Sequence, residues 1–121
     1  MTTVFSNARL IDPETGDDAP GWLRVDGGRI VAAGSGPAPD DAGARIDCAG
    51  KCLAPGIVDL GVKIGEPGER HKESFRTAGR AAAAGGVTTM VVRPDTTPAI
   101  DSPEVLEFVA RRAGEAAPVN V

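Results

Sequence analysis

Through the first half of the chain, apolar residues alternate with polar ones in short runs broken by turn-forming residues. The runs are "TTVFSNARLID", "WLRVDGGRIVAAG" and "RIDCAGKCLAPG", separated by "PETGDDAPG" and "SGPAPDDAGA". Alternation with a period of two over such lengths marks half-buried strands. In the middle of "WLRVDGGRIVAAG" stand Asp26, Gly27 and Gly28. Tight hairpin turns need positive φ, which glycine adopts at no steric cost, so these residues predict a hairpin. Residues 1–54 are therefore expected to be mostly β, with "SGPAPDDAGA" a surface loop that has little to bury.

After Pro55-Gly56 the rhythm changes. "IVDLGVKI" is a strand-like apolar run, and "EPGERHKE" is a loop of charge and turn residues. The segment "SFRTAGRAAAAGG" then places Phe75, Ala78, Gly79, Ala82 and Ala83 on one helical face, with Gly85 and Gly86 supplying a left-handed stop. "VTTMVVRPD" is rich in β-branched residues and predicts a second buried strand. "TTPAI" is a loop, and "DSPEVLEFVARRAGEAA" is a second helix with Asp101 or Ser102 as N-cap and Pro103 in its first turn. Its expected apolar face is Val105, Leu106, Val109 and Ala113, and "PVNV" opens a third strand.

Strand, helix, strand, helix, strand with short connections is the pattern of a parallel sheet with right-handed crossovers. A doubly wound sheet and a barrel both satisfy it. No G-x-G-x-x-G follows the first of these strands and no Walker A sequence is present, so nucleotide binding has no support.

Composition narrows the classes. At 121 residues the chain suits one domain with a real core, and with three Phe, one Trp and no Tyr that core must rely on Val, Ile, Leu and Ala. The net charge of -4 and the scattered Lys and Arg give no electrostatic footprint for nucleic acid or an anionic membrane. No segment approaches the roughly 20 apolar residues of a membrane span. The N-terminus lacks the basic, apolar, small-residue order of a signal peptide, so a cytoplasmic location is expected. Cys48 and Cys52 stand in a CxxxC spacing, but a zinc site would need two further soft ligands and His71 is the only histidine. They are expected to be buried or half-buried reduced thiols on a strand and its turn.

The stretch "LAPGIVDLGVKIGEPGERHKESFRTAGRAAAAGGVTTMVVRPDTTPAIDSPE" resembles the opening of the barrel in dihydroorotases and the related cyclic amidohydrolases, the hydantoinases and allantoinases. "NARLIDPETG", "LRVDGGRIVAAG" and "IDCAGKCLAPG" are similar to the small β-sandwich strands that precede that barrel in the amidohydrolase superfamily. The resemblance covers nearly the whole chain. "EPGERHKESF", "AAAAGGVTTM" and "PDTTPAIDSPE" point to the dihydroorotase branch. It implies an α/β protein: a small β-sandwich part over residues 1–54, then, over residues 55–121, the first strand-helix units of a metal-dependent-hydrolase (β/α)8 barrel. Such a barrel typically needs about 250 residues. Two βα units and the start of a third are therefore expected to be the N-terminal part of a longer polypeptide, since an isolated part-barrel exposes parallel strand edges.

In active members that the chain resembles, the first barrel strand reads Asp-x-His-x-His, and its histidines bind a divalent metal, usually zinc, that generates hydroxide for attack on the ring amide. The corresponding positions here are Gly61 and Lys63. Glycine has no ligating atom, and a lysine with an ordinary pKa near about 10.4 presents a positive charge to an incoming cation. The family also places an arginine two residues further on and an asparagine at the end of the second strand, both holding the substrate carboxylate. Those positions are Gly65 and Asp95. Two replacements in the metal shell and two in the substrate shell imply a degenerate site with no catalytic residues and no cofactor of its own.

Other residues stand beside these as candidates. His71 falls in a loop whose histidine is not a metal ligand in the resembling proteins, so a structural or surface role is expected. Asp59, Glu66 and Asp95 offer oxygen ligands for a hard cation such as magnesium, against the commoner outcome that carboxylates at barrel tops pair with Lys63 or Arg93. Lys63 is expected to replace part of the lost metal's charge, offsetting Asp59 or Asp95. The resemblance thus implies a non-catalytic dihydroorotase-like subunit of pyrimidine biosynthesis, oligomeric and partnered with aspartate transcarbamoylase. The alternatives are an active cyclic-amide hydrolase with a shifted ligand set, and a small independent binding module.

Overall fold

The computed structural model describes residues 1–40 and 43–121; Asp41 and Ala42 of the predicted loop lie outside the described residues. The described residues form two compact units, Met1–Pro55 and Gly56–Val121.

The first unit is a five-stranded sheet. Its strands are β1 (Thr3–Asp12), β2 (Asp17–Asp26), β3 (Arg29–Gly34), β4 (Ala44–Asp47) and β5 (Cys52–Leu53), in the order β3-β2-β1-β4, with β5 also on β1. β1 runs antiparallel to β2 and parallel to β4 and β5. The predicted hairpin joins β2 to β3: Asp26 pairs with Arg29, and the turn between them is Gly27-Gly28, at φ 55° and 76°. Two successive positive φ values are what a two-residue hairpin loop needs, and glycine supplies both.

Strand β2 reaches further towards its N-terminus than the turn-like "PETGDDAPG" suggests. Asp17 to Pro20 are part of it, paired with Asp12 to Arg9. The turn is confined to Pro13–Gly16, closed by the Gly16 amide donating to the Asp12 carbonyl at 2.8 Å and the Glu14 amide donating to Asp12 Oδ1 at 2.9 Å. The Arg9 guanidinium donates through Nε to Asp18 Oδ1 at 2.6 Å, across the extended part of the ladder. Pairing to a long β1 therefore overrides the local turn signal. Val4, Ser6 and Ala8 on β1 are buried.

The second unit alternates strand and helix: β6 (Ile57–Val62), α1 (Phe75–Ala84), β7 (Val87–Val92) and α2 (Pro103–Ala116). β6 and β7 pair in parallel, joined by the α1 crossover. Asn120 of "PVNV" forms a parallel bridge with Thr89, so a third strand position opens beside β7. Ile64, Phe75, Ala78, Met90, Val109 and Ala113 form the core, with Val62, Val92 and Val105 packed on it.

Both helices begin where short polar side chains can satisfy their free amides. The Ser74 hydroxyl accepts from the Thr77 amide while Thr77 Oγ1 accepts from the Ser74 amide, a capping box. Ser102, rather than Asp101, caps α2, with Pro103 opening the first turn. At the end of α1, Gly86 takes the left-handed conformation at φ 81°, and Gly85 is the C-cap at φ −88°. Two expected core positions face water. Ala83 is exposed, and Leu106 is 57% exposed. Val109 and Ala113 are buried and Val105 is half-buried, recurring every fourth residue as a narrow core-facing stripe, and Leu106 stands about 100° around the helix from Val105. No helix among the described residues is long and apolar enough to cross a membrane.

Candidate functional site

The chemistry-bearing positions gather where β6 and β7 end. Strand β6 runs to Val62; Lys63 and Ile64 follow, and then the loop from Gly65 to Glu73 leads into α1. Strand β7 runs to Val92, and Arg93, Pro94 and Asp95 follow. The Arg93 amide donates to the Val62 carbonyl at 2.9 Å, which holds the two strand ends in step.

Lys63 and Asp95 meet there. Lys63 Nζ donates to Asp95 Oδ2 at 3.3 Å, and Arg93 donates through a terminal guanidinium nitrogen to the same oxygen at 3.1 Å. Partial burial pushes the Asp95 carboxyl up, but the Lys63 hydrogen bond and the charges of Arg93 and Lys63 outweigh it and hold the carboxyl below its ordinary value. The result is a carboxylate shared by two cations, open to solvent.

Both glycines of the motif are built into the backbone. Gly61 has φ 107° and sits where the β6–β7 register slips between Leu60 and Val62, so it is the extra residue of a bulge. Nothing approaches within 4 Å of where its Cβ would be, yet a side chain there would be strained by the backbone alone. At Gly65 the obstacle is contact. A Cβ would lie 2.5 Å from the Glu69 carbonyl oxygen and 2.9 Å from that of Glu73. The loop closes on this position, with the Glu69 amide donating to the Gly65 carbonyl at 2.5 Å.

Glu66 has a different task from cation binding. Its side chain is 4% exposed, Oε2 accepts from the Phe75 amide at 3.2 Å, and Oε1 accepts from Arg112 Nε at 3.0 Å, with Arg70 Nε at 3.7 Å. It thus satisfies the Phe75 amide at the start of α1 and ties the loop to α2. The Arg112 guanidinium is driven above its ordinary value by the Glu66 hydrogen bond and charge. Sequence reasoning missed this role. The signal was present as a Glu nine residues ahead of the first helical position, but the partner Arg112 lies 46 residues away in sequence.

The remaining candidates stay apart. Asp59 is exposed, and Asp59, Glu66 and Asp95 do not come together; among the described residues no group of three or more His, Cys, Asp or Glu stands where it could hold a metal ion. The hard-cation alternative is thereby corrected: Glu66 is committed to Arg112 and the α1 amide, and Asp95 to Lys63 and Arg93. His71 is exposed on the loop. Cys48 is half-buried in the turn after β4, while Cys52, expected to be at least half-buried, is exposed; both are free thiols.

A family model described as "Dihydro-orotase-like" matches residues 50–121. The chain belongs to the dihydroorotase-like family. It is 45% identical over 122 residues to "Dihydroorotase" of Wolbachia sp. subsp. Brugia malayi (strain TRS), a match covering 98% of the chain and 28% of that protein. It is 47% identical over 117 residues to "Dihydroorotase-like protein" of Pseudomonas putida, covering 97% of the chain and 28% of that protein. Among solved structures, L-hydantoinase (dihydropyrimidinase) from Arthrobacter aurescens superposes with a TM-score of 0.84 at 25% identity, over 97% of the chain and 26% of the hydantoinase. Dihydropyrimidinase from Brevibacillus agri NCHU1002 gives 0.77 at 28% identity, over 96% of the chain and 25% of that protein. The dihydroorotase-like chain thus spans about a quarter of the length of these relatives. Its fold is that of the N-terminal part of the hydantoinase-type amidohydrolases.

The resemblance implies zinc, and the residues at these positions do not fit it. Gly61 carries no donor atom, and the Lys63 ammonium offers no lone pair while it is bonded to Asp95.

Proposed function

We propose that this dihydroorotase-like chain is part of a non-catalytic subunit of pyrimidine biosynthesis that supports aspartate transcarbamoylase structurally. The observation that carries the proposal is the closed loop at Gly65. A dihydroorotase-type carboxylate clamp needs an arginine at this position, and here even a Cβ would meet the Glu69 and Glu73 carbonyl oxygens. The Lys63–Asp95–Arg93 group supports the same conclusion. Lys63 and Asp95, at the positions of a metal histidine and of the asparagine in the resembling enzymes, are engaged with each other and with Arg93. An aspartate at position 95, committed to Lys63 and Arg93, also lacks the amide N–H that would donate to a substrate carboxylate.

The names of the relatives do not decide the matter, since both "Dihydroorotase" and "Dihydroorotase-like protein" stand at similar identity. Co-purification does. The full reading frame that carries this chain is expressed with the same organism's aspartate transcarbamoylase, one of the two tagged, and the eluate is sized by light scattering. A stoichiometric complex is expected. Separate elution of the two proteins overturns the scaffold role.

A further inference from the structure

Glu66 joins three places that lie far apart along the chain. It follows Gly65 directly, its Oε2 accepts from the amide of Phe75 at the first position of α1, and its Oε1 accepts from Arg112 near the C-terminal end of α2. Arg112 is held in turn by Glu115, to which a terminal guanidinium nitrogen donates at 3.2 Å. Arg70 Nε lies 3.7 Å from the same Glu66 oxygen, but Arg70 belongs to the loop and would travel with it. Arg112 is the partner that fixes Glu66 to an element beyond the loop and α1.

We propose that Glu66 and Arg112 form a latch, a pair of positioning residues that closes the loop over Gly65 and adds little to the stability of the fold. The geometry of the loop carries the argument. The hydrogen bond from the Phe75 amide to the Glu66 side chain staples the loop's two ends together. Glu73, two residues before Phe75, is thereby brought back over Gly65, where its carbonyl oxygen stands 2.9 Å from the place of a Cβ. Glu69 closes the other side, its amide donating to the Gly65 carbonyl. The crowding at Gly65 is therefore a consequence of where Glu66 is held, and Arg112 holds it from 46 residues away in sequence.

The energetics point the same way. The Glu66 side chain is 4% exposed and that of Arg112 24%, so both have given up most of their hydration, and this chain alone produces that burial. Attraction within the protein roughly repays the loss. A buried pair therefore adds little over an uncharged pair of similar volume, while removing one partner strands a buried charge. What the pair supplies is direction: Arg112 Nε and the Phe75 N–H engage both carboxylate oxygens and so orient the backbone at residue 66. The latch rests on the closed loop that also carries the proposed function, but not on the aspartate transcarbamoylase partnership. Loop protection tests the one and co-purification the other.

Hydrogen exchange read by mass spectrometry on the full reading frame tests this, comparing a peptide over residues 66–74 with one over β7. Arg112→Met is expected to speed exchange over residues 66–74 by about tenfold or more. It should leave β7, where the Met90 amide donates to the Asn120 carbonyl, as protected as in the wild type. Glu66→Gln combined with Arg112→Met strands no charge and keeps an acceptor for the Phe75 amide. This double variant is expected to recover the melting temperature lost in Arg112→Met while its loop stays fast. Gly65→Ala, which lowers the melting temperature on its own, is expected to lower it no further in the double variant. A pair that serves stability alone would instead speed both peptides together and regain both with the double substitution. An unchanged loop in Arg112→Met, equal acceleration of both peptides, a double variant whose loop is protected again, or a Gly65→Ala loss that is the same in both backgrounds overturns the proposal.

Discussion

Lys63 Nζ, just past the end of β6, lies 3.3 Å from Asp95 Oδ2, three residues past the end of β7, and so bridges the ends of two parallel strands. Arg93 shares the same oxygen. If Lys63 stands in for part of a missing metal's charge, then Lys63→Met removes the hydrogen bond that holds the Asp95 carboxyl down. Its pKa, followed by carboxyl NMR, is expected to rise towards the ordinary value, and the melting temperature to fall slightly because Arg93 remains. Unchanged or raised thermal stability would remove the charge-replacement role from Lys63.

Gly65 is expected to tolerate no side chain. Gly65→Ala should cost about 1–3 kcal/mol through overpacking against the Glu69 and Glu73 carbonyls. Gly65→Arg should loosen the loop rather than rebuild a carboxylate clamp. Chemical denaturation measures the first. Amide exchange across residues 66–73 reads the second, and a Gly65→Arg protein whose loop is as protected as the wild type's would contradict the closed geometry.

Phe75 is the largest side chain in the core, 1% exposed and set at the first position of α1 beside Ile64 and Met90. Phe75→Ala should destabilise the second unit by about 3–5 kcal/mol, from lost burial and the cavity left behind. Exposed Leu106 gives the control, since Leu106→Ala should change stability by no more than about 0.5 kcal/mol.

Acid should weaken the fold. Asp18 is held below its ordinary carboxyl value of 3.8 by the hydrogen bond from Arg9, Asp47 by the Ala49 amide, and Glu69 below 4.5 by the hydrogen bond from Lys72. A carboxyl whose folded pKa is depressed contributes stability above its unfolded pKa and loses it as pH falls through the folded one. Stability is therefore expected to hold from neutral pH to about 5 and to decline below about 4. Asp18→Asn should flatten that decline, measured by urea denaturation at each pH. An acid limb identical to the wild type would remove the Arg9–Asp18 pair from this role.

Much of this architecture was legible because local and tertiary signals agree. Gly27-Gly28, Ser102 with Pro103, and Gly86 each sit where only a few residue types satisfy the backbone, so sequence alone located the hairpin and the helix ends. Asp17 to Pro20 misled because turn-forming residues were recruited into β2 by the length of its partner strand. Leu106 misled because the apolar stripe of α2 is narrower than a general amphipathic face. At the site, the substituted positions could be found only through family resemblance; composition offers no sign that Gly61 or Gly65 replaces anything. Glu66 stayed hidden for a further reason, since its partners Phe75 and Arg112 come together only once the loop and both helices are packed.

The most direct measurement is the turnover of dihydroorotate by the purified full reading frame, supplied with zinc and assayed beside an active dihydroorotase. The proposed degenerate site at Gly61, Lys63, Gly65 and Asp95 predicts no hydrolysis above the uncatalysed rate and no stoichiometric zinc in the protein. Zinc-dependent turnover would contradict the account, because it would require a metal shell built without histidines at positions 61 and 63.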